Sequence, residues 1–566
     1  MKNKHIVFLL FFVVTDALAQ DLKTTEINVV EGFKVSVPQP DKLNVKATFL
    51  DTTKVDKTQE YSFINKYIFS TFETRPLSAA KIKRKSELKS NYGNVNVSFG
   101  NRAFKFGNFN YSGKLKDKLI YGLGLLFDTY DYQTGNDNTK VSKENIEFYV
   151  RTKRIFEKGI LNSRLTFKDI SEFHGFSINE SPTKTYSEIL ASYSSRTNAD
   201  GKIKHSSQLL IKDFNNQIEN QIGLYSDIST SINNIPFDLS LEYNNYLNYL
   251  NHSPSIKVDE IDVKILDITP NISFDKFGFG LNLGFNLGIG IEPDKSVDIF
   301  PIIEVSKELV DNVVNLSFGI DRDDYRNTLS SLTLENPYIY TPAVSASPED
   351  SIGYFNELET TDIYECYLNL ENKLSANEFL TFNIGYGKLL NLHYFDFDEI
   401  VGLNRFSVNY IDTWRLRAKA IYQRKFTNVL SFNLDAQYNW YNEEIPHKTN
   451  LEANLSLPIV FRDKLKFIPS IKYVGERKYS YMSGLFISPP EIVFDNLDDQ
   501  YLVNLNIHYS YTEKLDFSIG VNNILDVQKP YWSGYDQIGL NFNFAIIIFY
   551  KKLSTFVDKI HLIFYR

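Results

Sequence analysis

The sequence predicts an all-β chain that closes into a transmembrane antiparallel β-barrel of the outer-membrane type, with about 22 strands and a range of 20 to 24. Three observations carry this expectation: one long stretch of strict alternation, a succession of similar stretches, and a leader that exports the chain. From Phe277 to Ile291 every odd position is large and apolar, and every even position is Gly or Asn. Side chains in a strand alternate faces, so this segment has one apolar face and one small, polar face. About 9 to 11 tilted residues cross a bilayer, and the alternation lasts longer than that. In hydrocarbon an open sheet edge leaves N–H and C=O groups unpaired, so one spanning strand demands a closed ring of them. On this phase Leu283 faces lipid and Gly284 faces the lumen, where a small polar residue should be tolerated.

Taken in order, the chain opens with Lys2 and Lys4, an apolar run from Ile6 to Val14 and the small-residue site Ala17-Leu18-Ala19. Residues 1–19 read as a secretory signal peptide, too short for a membrane helix. Its removal takes the formal charge from −8 to about −9, the wrong sign for a nucleic-acid binder. Residues 20–90 show no sustained period and read as an extended periplasmic segment. Their cations cluster at Lys81, Lys83, Arg84 and Lys85, where a solvated linker is the expected reading. The chain has 36 Tyr and 44 Phe, an excess that suits aromatic girdles at two membrane interfaces. Its single cysteine, Cys366, excludes internal disulfides and lies on the apolar face of its run.

Residues 91–550 read as the barrel. Apolar alternation runs through Leu119–Phe127, Ile235–Tyr243, Leu380–Tyr386, Trp414–Tyr422, Leu430–Trp440, Leu451–Phe461, Tyr501–Tyr511, Leu515–Val521 and Ile538–Tyr550. The phase slips where Ile265 gives way to Leu266, as a β-bulge would make it do. Connections alternate between short and long, which places the short turns on the inner side and the long loops outside. The short set is Phe156–Lys158, Asp275-Lys276, Ser375–Asn377, Thr427-Asn428, Arg462–Lys464 and Thr512–Lys514. The long set is Gln133–Glu144, His174–Lys184, Thr328–Asp362, Asn391–Asn404, Met482–Asn496 and Leu525–Gln537. Residues 551–566 form a C-terminal tail.

Near the C-terminal end the chain reads Gly520-Val521-Asn522-Asn523-Ile524-Leu525-Asp526, then Tyr531-Trp532, then Gly539 opening the last run to Tyr550. This resembles the last hairpin of TonB-dependent receptors, where a penultimate strand ends in an Asn-Asn-Leu-Phe-Asp-like motif and a final strand runs to a terminal aromatic. Asn522, Asn523, Asp526 and Tyr550 carry the match. The resemblance covers the barrel and implies an outer-membrane protein of a Gram-negative cell. Two features depart from it. The family fills its barrel with a globular plug larger than residues 20–90, and the lead-in Arg75-Pro76-Leu77 to Tyr92-Gly93 is similar to plug-less members. The chain also continues past Tyr550. The stretch Glu26-Ile27-Asn28-Val29-Val30 resembles a TonB box, with Glu26, Ile27, Val29 and Val30 as its candidate contacts for a TonB-like periplasmic protein.

No motif of catalysis, phosphate binding or metal ligation appears, so neither an enzyme nor a cofactor is expected. The seven histidines after the signal, at 174, 205, 252, 393, 447, 508 and 561, have no metal spacing and read as loop and lumen residues. Arg415, Arg417 and Lys419 stand out as a ladder of cations on the lumen face, where they favour anionic solutes or pair with carboxylates such as Asp435. Two functions fit. The first is a structural or accessory subunit of an outer-membrane complex, in contact with other outer-membrane proteins and lipid. The alternative is solute uptake, TonB-coupled or passive. A 22-stranded lumen is too wide for side chains to fill, so residues 20–90, the Thr328–Asp362 loop or a partner must occupy it.

Overall fold

The computed structural model describes residues 93–115, 118–134, 139–174, 184–195, 203–214, 219–248, 262–292, 295–339, 358–375, 377–398, 405–483 and 491–550. The signal, the TonB-box-like stretch, the segment before the barrel and the tail lie outside them. Strands β1 (Gly93–Gly100), β2 (Lys105–Leu115), β3 (Leu119–Thr134), β4 (Thr139–Ile155), β5 (Gly159–His174) and β6 (Lys184–Ser195) open the ring. β7 (Lys204–Phe214), β8 (Glu219–Ile232), β9 (Ile235–Asn248), β10 (Val263–Lys276), β11 (Phe279–Glu292), β12 (Ser296–Val310) and β13 (Val314–Arg326) continue it. A short helix α1 (Leu329–Glu335) interrupts the series. Then follow β14 (Thr360–Ser375), β15 (Glu378–Asp398), β16 (Arg405–Lys425), β17 (Ser431–Tyr441), β18 (Leu451–Ser456), β19 (Ile459–Phe461) and β20 (Leu465–Val474). After a hairpin of β21 (Arg477–Ser483) and β22 (Glu491–Leu497) come β23 (Gln500–Thr512) and β24 (Leu515–Asn522). A second small hairpin, β25 (Pro530–Trp532) and β26 (Tyr535–Asp536), precedes the last strand β27 (Asn541–Tyr550).

Each barrel strand pairs antiparallel with its neighbours, and β27 closes on β1 from Gly93↔Tyr550 to Gly100↔Asn543. β18 and β19 both pair with β20 and are one strand broken at Leu457-Pro458, where a proline cannot donate to the ladder. The result is a closed ring of 22 strands. Its outer face is the apolar one: Leu125, Phe285, Phe318 and Phe544 are 47, 43, 55 and 45% exposed on strands whose opposite face is polar. Exposure of that kind on every strand is a lipid surface, not a packing fault. Among the described residues no helix is long and apolar enough to cross a membrane.

The short turns lie at the end shared by Gly93 and Tyr550. Asn233-Asn234 and Phe277-Gly278 both have two positive φ values (50° and 68°, 56° and 76°), the geometry of a two-residue hairpin whose twist matches its strands. The second turn therefore falls two residues later than Asp275-Lys276. Exposed Phe156, Phe277, Phe426 and Phe461 ring this end, and Arg154, Lys276 and Arg424 sit over the first three rings at 4.9, 5.3 and 5.0 Å. Apolar rings beside cations suit an interface with headgroups. At the other end Tyr386 stacks on Trp414 at 5.4 Å, and Tyr438 and Trp440 are also exposed.

Several connections contain more structure than their composition announces. Strand pairing persists to Thr134↔Thr139 and, beyond an irregularity at Leu389/Leu392, to Asp398↔Arg405. The connections expected at Gln133–Glu144 and Asn391–Asn404 are correspondingly shorter. The β10/β11 register shifts between Lys264 and Ile265, one residue before the slip in the apolar pattern. Gly284 faces inward as expected, but a Cβ there would lie 2.5 Å from the Pro270 carbonyl oxygen and overlap the Asn271 side chain, so even a small residue does not fit.

Phe285 lies midway along β11 on the lipid face. Phe285→Arg should lower barrel stability by about 2 to 4 kcal/mol, whereas Asn282→Ser on the lumen face of the same strand should change it little. Urea unfolding followed by heat-modifiable gel mobility reads both, and equal losses would mean the faces are assigned wrongly.

Candidate functional site

β13 does not run on into solvent. It stays paired with β12 only as far as Ile303↔Ile320, and beyond that point Arg322 donates from Nη1 to Asn286 Oδ1 on β11 at 2.9 Å. The chain then enters α1 through Thr328, whose hydroxyl accepts from the Ser331 N–H (3.1 Å) while the Thr328 N–H donates to Ser331 Oγ (3.0 Å). This reciprocal cap satisfies two donors of the first turn. Two more are met from across the lumen, because the Glu219 carboxylate on β8 accepts from Leu329 N (2.6 Å) and Ser330 N (3.2 Å). Thr333 meets the Tyr186 hydroxyl of β6 at 3.0 Å, and the Lys184 ammonium donates to the Pro337 carbonyl.

The far end of the segment reaches the opposite side of the ring. Ile339 forms a parallel bridge with Phe406 on β16, and the Tyr338 ring stacks on Tyr535 at 3.6 Å. Glu335 accepts from His393 Nε2 of β15 at 2.7 Å and from Lys448 Nζ at 2.9 Å. Residues 327–339 are thus a crossbar over the mouth, anchored on β6 and β8 at one side and on β15 and β16 at the other.

A small hydrophobic core holds the second anchor. Leu332, Ile339, Phe395, Phe406, Trp532 and Tyr535 bury one another, drawn from the crossbar, two barrel strands and the β25–β26 hairpin. Phe395 and Phe406 meet the Trp532 ring edge-on at 5.3 and 5.6 Å. His447, from the loop after β17, enters this core with its ring 5.3 Å from Trp532, and its Nδ1–H donates to the Phe395 carbonyl at 2.9 Å. Burial, opposed by that hydrogen bond and assisted by the Arg477 and Lys448 charges, pushes its pKa down to about 4. Glu335 moves for a different reason. Burial would raise it, but the His393 hydrogen bond and the Lys448 charge outweigh that and hold it down at about 2.

Under Thr328 and Ser331, between the inner face of β7 to β11 and the upper end of β13, lies a cavity of about 320 Å³. Its walls are polar: Gln221, Glu242, Asn244, Asp267, Thr269 and Asn286 face it from the barrel.

The residues singled out by sequence fall in several places. Arg415 and Arg417 point inward and share one partner, Glu365 of β14, at 3.2 and 2.5 Å. Glu365 reaches them past β15 because Gly385 stands between; a Cβ there would overlap its carboxylate. Lys419, opposite Gln437 and Asn383, has no ion pair among the described residues. Asn523 and Asp526 have φ of 51° and 52° and organise the turn after β24. The Asn523 amide donates to Val527 O (2.7 Å) and Ile538 O (2.9 Å), and Asp526 accepts from Leu540 N (2.7 Å). Asn522 donates to Asn541 Oδ1 at 2.9 Å, and Tyr550 sits at the closing seam against Phe109. Glu26, Ile27, Val29 and Val30 lie outside the described residues.

Sequence reasoning offered the Thr328–Asp362 loop as one of three occupants of the lumen but missed its helix and its anchors. Glu219 and Leu329 are 110 residues apart, and no local pattern marks either. The one available signal was Leu332 with Trp532 and Tyr535, large apolar residues in connections that otherwise look polar.

Comparison with known proteins adds a fold and no closer kinship. No protein-family profile matches the chain, and no curated protein matches it. Solved structures do. Copper transporter OprC superposes with a TM-score of 0.57 at 11% identity, covering 81% of this chain and 80% of that one. The ferripyoverdine receptor of the outer membrane of Pseudomonas aeruginosa, bound to ferripyoverdine, gives 0.56 at 11% identity over 81% and 71%. A mutant of the ferric enterobactin receptor of the same organism, in complex with enterobactin, gives 0.57 at 12% identity over 81% of both chains. The fold is that of outer-membrane receptors with 22-stranded barrels.

His447 makes the anchor sensitive to acid. Its folded pKa of about 4 lies below the ordinary 6.5, so above pH 6.5 docking carries no proton penalty. As pH falls from 6.5 to 4 the undocked loop gains a proton that the docked one refuses, weakening docking by up to about 3 kcal/mol. Docked Glu335 stays ionised through that window, and its contribution is lost progressively below it, as pH falls from 4.5 to about 2. Amide exchange across residues 329–339, corrected for intrinsic pH effects, should rise at least tenfold between pH 7.5 and 4.5, and His447→Gln should flatten that response. An unchanged profile in the wild type would contradict the assignment.

Proposed function

We propose that the barrel takes up a solute across the outer membrane in the manner of a TonB-dependent receptor, with the cavity as its holding site and the crossbar as its gate. The observation that carries this reading is the crossbar itself: a segment held over a polar chamber by hydrogen bonds, ion pairs and the burial of Leu329, Leu332 and Ile339. None of these contacts belongs to the strand ladder that closes the ring, so releasing the segment leaves the ring's own hydrogen bonds intact. The solved structures that share the fold are named as a copper transporter and as receptors for ferripyoverdine and enterobactin, which supports uptake over an accessory role. An accessory subunit would be expected to offer its longest loop to partners. The described part of Thr328–Asp362 turns inward instead.

Coupling to a TonB-like periplasmic protein falls to Glu26, Ile27, Val29 and Val30, which would add a strand to the partner. Arg415 and Arg417, which share the one carboxylate of Glu365, serve the barrel wall, and Lys419 is the member of the ladder without an ion pair among the described residues. Asn522, Asn523 and Asp526 shape the last hairpin, and Tyr550 marks its assembly end. No catalytic step is assigned.

The test compares cells with the wild-type chain, cells without it and cells with Val29→Pro, which removes a backbone donor and fixes φ in the pairing stretch. Mass spectrometry of the spent medium should find a class of solute depleted only by the wild type, with Val29→Pro barrels present at normal abundance. Identical media from all three, together with a protein that co-purifies with the barrel, would favour the accessory role.

A further inference from the structure

We propose that the chamber under the crossbar binds an organic cation, a solute bearing amine or guanidinium groups. That this is also the class of solute taken up rests on the uptake reading; the binding itself does not. Four carboxylates, Glu242, Asp267, Asp323 and Asp324, line the cavity, together with Lys212, Arg322 and Arg326. Glu242 of β9 and Asp267 of β10 stand directly opposite in register, an arrangement in which like charges repel. Asp267 is 9% exposed, its Oδ1 is buried with no hydrogen-bond partner, and no ion pair reaches it among the described residues. Glu242 has one neutral partner, the Asn244 amide at 2.9 Å.

The three cations in the wall fall short of its four carboxylates, and one of them is engaged outside it. Arg322 is committed to Asp362 through Nη2 at 2.7 Å and to Asn286 through Nη1 at 2.9 Å. Neither Asp323 nor Asp324 has an ion pair within reach among the described residues, although both sit on the strand that carries Arg322. A buried carboxylate without a partner is unfavourable unless it is protonated or a cation arrives to meet it. Among the described residues no three His, Cys, Asp or Glu side chains converge closely enough to hold a metal ion. The carboxylates are spread around the cavity, which suits a solute whose positive charges are also spread. The Ser240 and Thr269 hydroxyl oxygens supply neutral acceptors between them, as the N–H groups of an amine require. At about 320 Å³ the chamber falls at the small end of ordinary ligand pockets. Thr328 and Ser331 of the crossbar cap form part of its wall, so an occupant touches the segment that crosses the mouth.

Spermidine is a suitable probe, titrated calorimetrically into the full chain in detergent at low salt, with citrate as the anionic control and calcium as competitor. Saturable binding of spermidine is expected, weakened at least tenfold by Asp267→Asn and by Asp324→Asn and reduced by added salt, with no heat from citrate. Both variants should unfold no more easily than the wild type, because each removes an unpaired charge; that separates lost binding from lost fold. The proposal is overturned if wild-type protein shows no saturable binding, if the double variant binds as well as the wild type, or if calcium occupies the chamber in place of spermidine. Binding of spermidine by a protein that does not deplete it from the medium would sustain the site and reject the uptake reading.

Discussion

Every feature of this chain depends on the demand that no backbone N–H or C=O be left unpaired in hydrocarbon. The demand is met at one seam. β1 and β27 pair from Gly93↔Tyr550 to Gly100↔Asn543, and the Tyr550 ring lies where a Cβ on Gly93 would be. Because that last pairing makes the sheet a ring, each strand must put one face to lipid and one to the lumen, and the alternation of Phe279–Glu292 follows. A ring of 22 strands is also too wide for its own side chains to fill, so the lumen is lined with polar ladders rather than packed.

What the sequence could reveal follows from the range of each interaction. Alternation is local, and so are the turns at Phe156–Lys158, Arg462–Lys464 and Thr512–Lys514, which fall where the structure places them. The strand extension through Asn391 to Asp398 escaped notice because Asn391, at φ 52°, throws the apolar phase out of step. The mouth was illegible for a stronger reason. Its core joins Leu332, Phe395, Phe406 and Trp532, residues that meet only once the ring has brought the loops together. The cation ladder shows both sides of this rule: its inward direction is local, but the partner Glu365 lies two strands away and reaches it only past Gly385.

The crossbar joins these two levels. The ring's width leaves a wide mouth, and the loop after β13 crosses part of it because β13 parts from β12 above Ile320 and Arg322 reaches Asn286 of β11. Its anchors differ in kind. On the β6 and β8 side they are hydrogen bonds to Tyr186 and Glu219 with Leu329 buried against Phe214; on the β15 and β16 side they are a larger buried aromatic cluster, with His447 held neutral inside it, and the Glu335 ion pairs. The first side has the smaller core, and it is the side that borders the acidic chamber.

The most direct measurement is the conductance of the reconstituted protein in a planar bilayer, with and without the crossbar. With 329–338 replaced by a short Gly-Ser linker, the account predicts steady channel openings through a lumen that the wild type keeps shut. A deletion protein that assembles normally and stays as silent as the wild type would show that the crossbar is not what closes the barrel.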